Sequence, residues 1–225
     1  MAPSPARVLG LFAKWPTGGA VKTRLAADPG HAARVARALL LDTLDRLAHI
    51  DARRVLAFDP PAAEADFAAL AAGRFALAPQ GDGDLGRRLH RFITAAHDHG
   101  ARAVVVVGAD SPTLPVEFID RAFAALDDAD VVVGPACDGG YYLLGCGSRL
   151  PPVFDDIAWG SDHVLTQTVA ALDDPQWRLS VLPPWYDVDT PADWRLLCGH
   201  VAALRRAGLD PGVPRTEALC REHAP

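Results

Sequence analysis

Lysine is nearly absent from this 225-residue chain: there are two, Lys14 and Lys22, and every other permanently cationic side chain is arginine. Positive charge is scarce overall, with a net charge of -6 and an isoelectric point near 5.7. A partner that is nucleic acid or an anionic membrane would favour a broad basic face, so neither is expected. Long hydrophobic runs are also missing. No segment approaches the length of a membrane span, and the apolar stretch in MAPSPARVLGLFAKWP is too short for a signal peptide, so the expected location is the cytoplasm. The four cysteines, Cys137, Cys146, Cys198 and Cys220, form no CxxC pair and have no histidine at zinc-finger spacing. A structural zinc site is thereby excluded, and free buried thiols in a reducing cytosol are the expectation.

Familiar catalytic motifs are lacking too. There is no G-x-S-x-G, and Ser111 has no histidine in a recognisable arrangement, which argues against a hydrolase. The first apolar run is not followed by G-x-G-x-x-G, which argues against a dinucleotide-binding oxidoreductase. Lys22-Thr23 is preceded by Val21 rather than glycine and stands too close to Gly18 and Gly19, so the loop is not a P-loop. Repeats, low-complexity tracts, runs of like charge and linkers are likewise absent, and residues 1–225 are expected to form one domain.

What is present is a half-hydrophobic chain in which short apolar runs alternate with helical patterns, the signature of an α/β sheet with helices on both faces. Strands are expected at Val8 to Phe12, Val55 to Phe58, Phe75 to Ala78, Ala103 to Gly108, Asp130 to Gly134, Tyr141 to Cys146 and Leu179 to Leu182. AVVVVG, apolar throughout, should be central. Between the fifth and sixth strands stands only GPACDGG, too short for a parallel crossover, so that step should be antiparallel and the sheet mixed. Helices are expected around Val35 to Leu47, Pro61 to Leu70, Leu85 to Ala96, Ile119 to Leu126 and Val164 to Leu172. The final helix follows Thr190, with Thr190 as cap and Pro191 in its first position.

Ligands of open α/β sheets bind at the carboxyl edge of the strands. Both lysines fall in the loop leaving the first strand, KWPTGGAVKTRL, where Lys14, Lys22, Thr23 and Arg24 beside Gly18 and Gly19 suit a polyphosphate. Asp110 ends the central strand in a sharp Asp-Ser-Pro turn, and Asp187 and Asp189 precede the last helix. These carboxylates are candidates to hold a divalent cation accompanying the phosphates, with capping or an Asx turn as the alternative role. In GPACDGGYYLLG, Asp138, Gly139, Gly140 and Tyr141 can admit, hydrogen-bond and stack on a ligand, or form a plain tight turn. Gln80 and Gly81, after the third strand, can read a base edge or simply turn the chain. Trp159, Ser161 and His163 can line an acceptor side, or Ser161 can start a helix.

Taken together, FAKWPTGGAVKTRL, QGDGDLGRRL, VGADSP, GPACDGGYYLLG, the tryptophan of AWGSDHV and DVDTPADW resemble a bacterial GT-A-like family of glycosyltransferases, some assigned to arsenosugar biosynthesis. The resemblance extends from Phe12 to about Leu197. More remotely, the chain is similar to phospholactate guanylyltransferase and the molybdenum cofactor guanylyltransferase. The resemblance implies a single-domain GT-A (nucleotide-diphospho-sugar transferase) fold with a mixed, mostly parallel sheet, and a nucleotide with Mg2+ (or Mn2+) on its phosphates. It implies phosphate contacts from Lys14, Lys22 and Arg24, metal contacts from Asp110 and Asp189, base contacts from Gln80 and Gly81, and acceptor or sugar contacts from Asp138 to Tyr141. The chain departs from the usual family loop at Trp15 and Gly19. The expected activity is sugar transfer from a nucleotide-sugar to a small-molecule acceptor, with Lys22, Asp110 and Asp138 closest to the chemistry. The alternatives are nucleotidyl transfer from a nucleoside triphosphate with release of pyrophosphate, and a nucleotide-binding module without catalysis.

Overall fold

The computed structural model describes residues 6–222. Seven strands form one sheet: β1 (Arg7–Lys14), β2 (Arg53–Asp59), β3 (Ala76–Pro79), β4 (Ala103–Gly108), β5 (Val131–Pro135), β6 (Tyr141–Cys146) and β7 (Leu179–Val181). Their spatial order is β3-β2-β1-β4-β6-β5-β7, with β4 in the middle, and β6 runs antiparallel to both neighbours. The remaining pairs are parallel. The short turn between β5 and β6 thus reverses the chain as its length requires.

The helices are α1 (Pro29–Leu47), α2 (Glu64–Ala71), α3 (Leu85–Asp98), α4 (Val116–Ala125), α5 (Val164–Ala170), α6 (Pro191–Arg206) and α7 (Pro214–Glu222). Because side chains alternate across a strand, β4 serves both faces of the sheet. Val105 and Val107 pack with Leu44 of α1, Phe67 of α2 and Phe123 of α4. Val104 and Val106 pack on the other side with Leu89 and Ile93 of α3. A third cluster joins α1, α6 and α7 through Leu39, Trp194, Val201 and Leu219. Helix starts follow local chemistry. Asp28 accepts the Gly30 and His31 amides, Asp84 caps α3, and Thr190 with Asp193 forms a reciprocal capping box on α6.

Three expectations need correction. The segment from Pro61 opens as a 3-10 turn over Pro61–Ala63, and α2 begins at Glu64. Helix α7 has no counterpart in the sequence reading, since half of what it buries is polar, Thr216 and Glu217 beside Leu219 and Cys220. It is held by Asp42 of α1, which is fully buried and accepts from the Arg215 and Thr216 amides and the Arg215 guanidinium. The cysteines also differ from expectation, because Cys198 of α6 and Cys220 of α7 form a disulfide. Without α7 in view, nothing in their 22-residue separation suggested that they meet. Cys146 is a buried thiol as expected, pushed up to about 12 by burial, whereas Cys137 is exposed. Among the described residues, no helix is long and apolar enough to cross a membrane.

Candidate active site

Five segments converge at the carboxyl edge of the parallel strands. The basic loop leaves β1 after Lys14, Gln80 follows β3, Asp110 follows β4, and antiparallel β6 starts there at Tyr141. The fifth segment follows β7. Its Leu182 and Trp185 amides donate to the Val133 and Pro135 carbonyls of β5, and its Val188 amide donates to the Asp110 carbonyl at 3.1 Å. The backbone therefore brings Asp187 and Asp189 across to the end of the central strand. A cleft of about 590 Å³ opens here, with Lys14, Lys22, Gln80, Arg88, Asp110 and Asp189 in its wall. Its size lies within the range of small-ligand sites.

Lys22 is the focus of the edge. Its φ of 50° places it in the left-handed region that residues with side chains seldom occupy. Such a conformation persists only where the surroundings impose it. Its ammonium lies 2.5 Å from Asp110 Oδ1 and 2.7 Å from Asp189 Oδ1, and its side chain is only 7% exposed. Burial disfavours the charged amine, but the two carboxylates outweigh that cost and hold its pKa above the ordinary lysine value. Arg24 adds a contact of 2.9 Å to the other oxygen of Asp189. Burial likewise opposes ionisation of Asp189, and Lys22 and Arg24 more than offset it, keeping this carboxyl below its usual range.

On the far side of Asp189 the charge balance reverses. Asp138, Asp187 and Asp189 each present an oxygen within 4.8 Å of the others. Asp187 is pushed up to about 6, first by burial and then by the neighbouring carboxylates of Asp138, Asp189 and Asp110. Hard oxygen donors crowded in this way, with surplus negative charge, fit Mg2+ or Mn2+. The grouping departs from expectation in one respect. Asp110 meets Asp189 through the Lys22 ammonium, while Asp138, expected on the acceptor side, joins the acidic group. Reversal of the chain between β5 and β6 is what carries Asp138 to this edge.

Other expected contacts are occupied by the protein itself. Gln80 is buried, and its amide nitrogen donates to the Ala13 and Ala57 carbonyls while its side-chain oxygen accepts from Arg88. It ties three strand ends together, and both hydrogens of its amide nitrogen are donated to the protein. Gly81 carries the Arg91 guanidinium against its Cα, and a Cβ there would lie 2.5 Å from Arg91 Nη1. Gly139, with φ of 90°, lets the Asp162 backbone approach so closely that a Cβ would lie 2.3 Å from its carbonyl oxygen. Gly140 donates its amide to Asp138 Oδ1 at 2.9 Å. Both tyrosine hydroxyls lie against protein groups. Tyr141 buries its hydroxyl beside Thr168, burial raising its pKa, and Tyr142 donates to the Pro183 carbonyl. Tyr141 and Tyr142 both line the cleft.

Lys14, Gly18, Thr23 and Arg24 are exposed on the basic loop. Trp15 turns inward and packs edge-on against Phe67 at 5.1 Å. Trp159 packs edge-on against Tyr141, and Ser161 accepts the His163 amide just before α5. Arg88 is a wall residue that sequence reasoning passed over, although it stands inside QGDGDLGRRL. Its guanidinium is 3.1 Å from Asp59 and bonds the Gln80 oxygen and the Gly83 carbonyl. Its position four residues after the α3 cap, on the turn facing the sheet edge, was the available signal.

Residues 41–161 match a protein family, DUF2064, described as uncharacterized proteins conserved in bacteria. The chain belongs to that family. Among solved structures, this DUF2064 member is similar to a protein of Desulfovibrio desulfuricans provisionally assigned as a nucleotide-diphospho-sugar transferase. The two share 33% identity at a TM-score of 0.85, covering 97% of this chain and 98% of that one. The fold is also shared with 4-diphosphocytidyl-2C-methyl-D-erythritol synthase of Anaerococcus prevotii, at 11% identity and a TM-score of 0.57, over 88% of this chain and 100% of that one. It is shared as well with Rv0371c of Mycobacterium tuberculosis, solved in complex with manganese. That match has 19% identity and a TM-score of 0.51, over 88% and 98% of the two chains. No curated protein sequence matches the DUF2064 chain at a significant level. The architecture is the mixed, mostly parallel GT-A sheet flanked by helices.

Proposed function

We propose that the chain is a GT-A transferase that takes a nucleotide-diphospho-sugar as donor and moves its sugar to a small-molecule acceptor, using Mg2+ or Mn2+. The observation that carries this reading is the buried Lys22 ammonium set between Asp110 and Asp189 at the mouth of the cleft. A compact ammonium in a loop with a left-handed backbone, beside carboxylates in excess, suits phosphates that arrive with a cation. The 33% identical relative, provisionally assigned as a nucleotide-diphospho-sugar transferase, supports the choice of donor.

In this reading Lys14, Lys22 and Arg24 bind the diphosphate, and Asp187 and Asp189 hold the cation with Asp138 within reach. Bound there, the cation would supply Lewis-acid stabilisation of the negative charge on the departing phosphate. The bond between the anomeric carbon and the phosphate oxygen breaks, and the nucleoside diphosphate leaves with the electron pair against Lys22 and Lys14. The acceptor oxygen bonds to the anomeric carbon. Asp138, exposed at the edge, takes the acceptor's hydroxyl proton.

A second reading keeps the same residues and changes the bond broken: an acceptor phosphate attacks the α-phosphorus of a nucleoside triphosphate, and pyrophosphate leaves. The presence of Lys14, Lys22 and Arg88 together in the cleft wall favours it, since three cations match a triphosphate. One assay separates the readings. The chain is incubated with Mg2+ or Mn2+ and panels of nucleotide-sugars or nucleoside triphosphates with sugar and phosphosugar acceptors, and the released group is identified. Nucleoside diphosphate is expected. Pyrophosphate from the triphosphate panel replaces the first reading with the second, and tight binding of a nucleotide with no turnover across both panels leaves a binding module.

A further inference from the structure

Four carboxylates that repel one another are supplied by three separate segments, and two of these segments are cross-braced by hydroxyls. The turn after β4 carries Asp110, and the segment after β7 carries Asp187 and Asp189. Between them the Ser111 hydroxyl donates to the Tyr186 carbonyl at 3.0 Å, and the Tyr186 hydroxyl lies 3.0 Å from Thr113 Oγ1. The same Tyr186 hydroxyl is 2.7 Å from His200 Nδ1 on α6, so the brace is anchored to a helix. Ser111 and Thr113 are buried polar residues. Trp185 stacks on Tyr186 at 5.5 Å and limits the movement of its ring. Tyr186 immediately precedes Asp187, and Thr113 lies three residues beyond Asp110.

We propose that Tyr186, with Thr113 and His200, is a positioning residue that fixes the Asp187–Asp189 segment against the Asp110 turn. A half-buried hydroxyl network joined to a helix has few alternative geometries, so it holds the segment that carries two of the three clustered carboxylates in one place. This inference rests on the reading of the acidic edge as a cation site.

The test is Mn2+ titration of the full chain, followed by electron paramagnetic resonance well below the thermal midpoint. Thr113→Val removes the hydroxyl at nearly constant shape, and Tyr186→Phe removes the other. Each is expected to weaken Mn2+ binding about 10- to 100-fold, the effect usual for groups that orient metal ligands. Thr113→Ser should restore most of the affinity, and the double variant should lose little more than either single one, because both delete the same brace. A merely structural role would lower the melting temperature and leave Mn2+ affinity at wild-type level, which overturns the proposal. Additive losses from the two substitutions overturn it as well. If the wild-type chain binds no Mn2+, the cation reading itself falls and takes this inference with it, an outcome distinct from equal binding by wild type and variants. Should Tyr186→Phe fold poorly, Thr113→Val and Thr113→Ser decide the matter between them.

Discussion

At the corner where α7 meets α1, Asp42, Asp45 and Glu217 are each gripped by arginine. Arg215 bridges Asp42 and Asp45 at 3.0 and 2.7 Å, Arg74 holds Asp45, and Arg205 and Arg221 flank Glu217. At the sheet edge, Asp110, Asp138, Asp187 and Asp189 share Lys22 and Arg24, and no cation pairs with Asp187 among the described residues. The contrast separates two uses of acidic residues. Where arginines are at least as many as the carboxylates they meet, the ion pairs hold helices together. Where carboxylates outnumber cations and one is driven up to about 6, the protein tolerates repulsion that an incoming cation would relieve.

Substitutions at the two corners should therefore fail in different ways. The largest effect is expected from Asp189→Asn at the edge, which removes a proposed cation ligand and a partner of Lys22. Transfer activity should fall roughly 100- to 1000-fold with the fold intact, measured as kcat/KM alongside circular dichroism. Comparable stability and activity losses would erase the distinction. Next, Asp42→Ala should cost about 2–3 kcal/mol of unfolding free energy in urea, because the buried Thr216 amide and the Arg215 guanidinium lose their acceptor. Its Mn2+ affinity should be unchanged.

The smallest effect sharpens the comparison through pH. Asp187 has its folded pKa raised to about 6 from a reference of 3.8, so the folded chain binds this proton more tightly than the unfolded one. Its contribution is fully present below the reference value and is lost as pH rises through about 6. Without divalent cation, Asp187→Asn should thus raise stability at pH 7 by about 1 kcal/mol, a figure discounted for the partial exposure of the group. Wild-type Mn2+ affinity should rise roughly tenfold from pH 5 to pH 7 as Asp187 ionises. A flat profile places the cation elsewhere.

Much of the scaffold could be read from local pattern. AVVVVG and YYLLGC became β4 and β6 with the expected bounds, because uninterrupted apolar runs closed by glycine leave few other options. The Thr190-Pro191 start of α6 was equally plain. Helix α7 and the Cys198–Cys220 disulfide were not, since both depend on Asp42 capping a segment 173 residues away. At the site, the strand-end rule located the loops, but the uses of their side chains depended on tertiary partners. Gln80 is consumed by carbonyls of two other strands, Gly139 by the Asp162 backbone, and the Tyr142 hydroxyl by Pro183. Lys22, by contrast, could be singled out from composition alone. Its burial between two carboxylates required the fold.

Calorimetric titration of wild type and Lys22→Ala with nucleoside diphosphates, triphosphates and nucleotide-sugars, with Mg2+ or with chelator, addresses the account most directly. At least one of these ligands is expected to bind only with the cation, and Lys22→Ala to weaken that binding tenfold or more. Binding that is indifferent both to chelator and to the loss of Lys22 would contradict it.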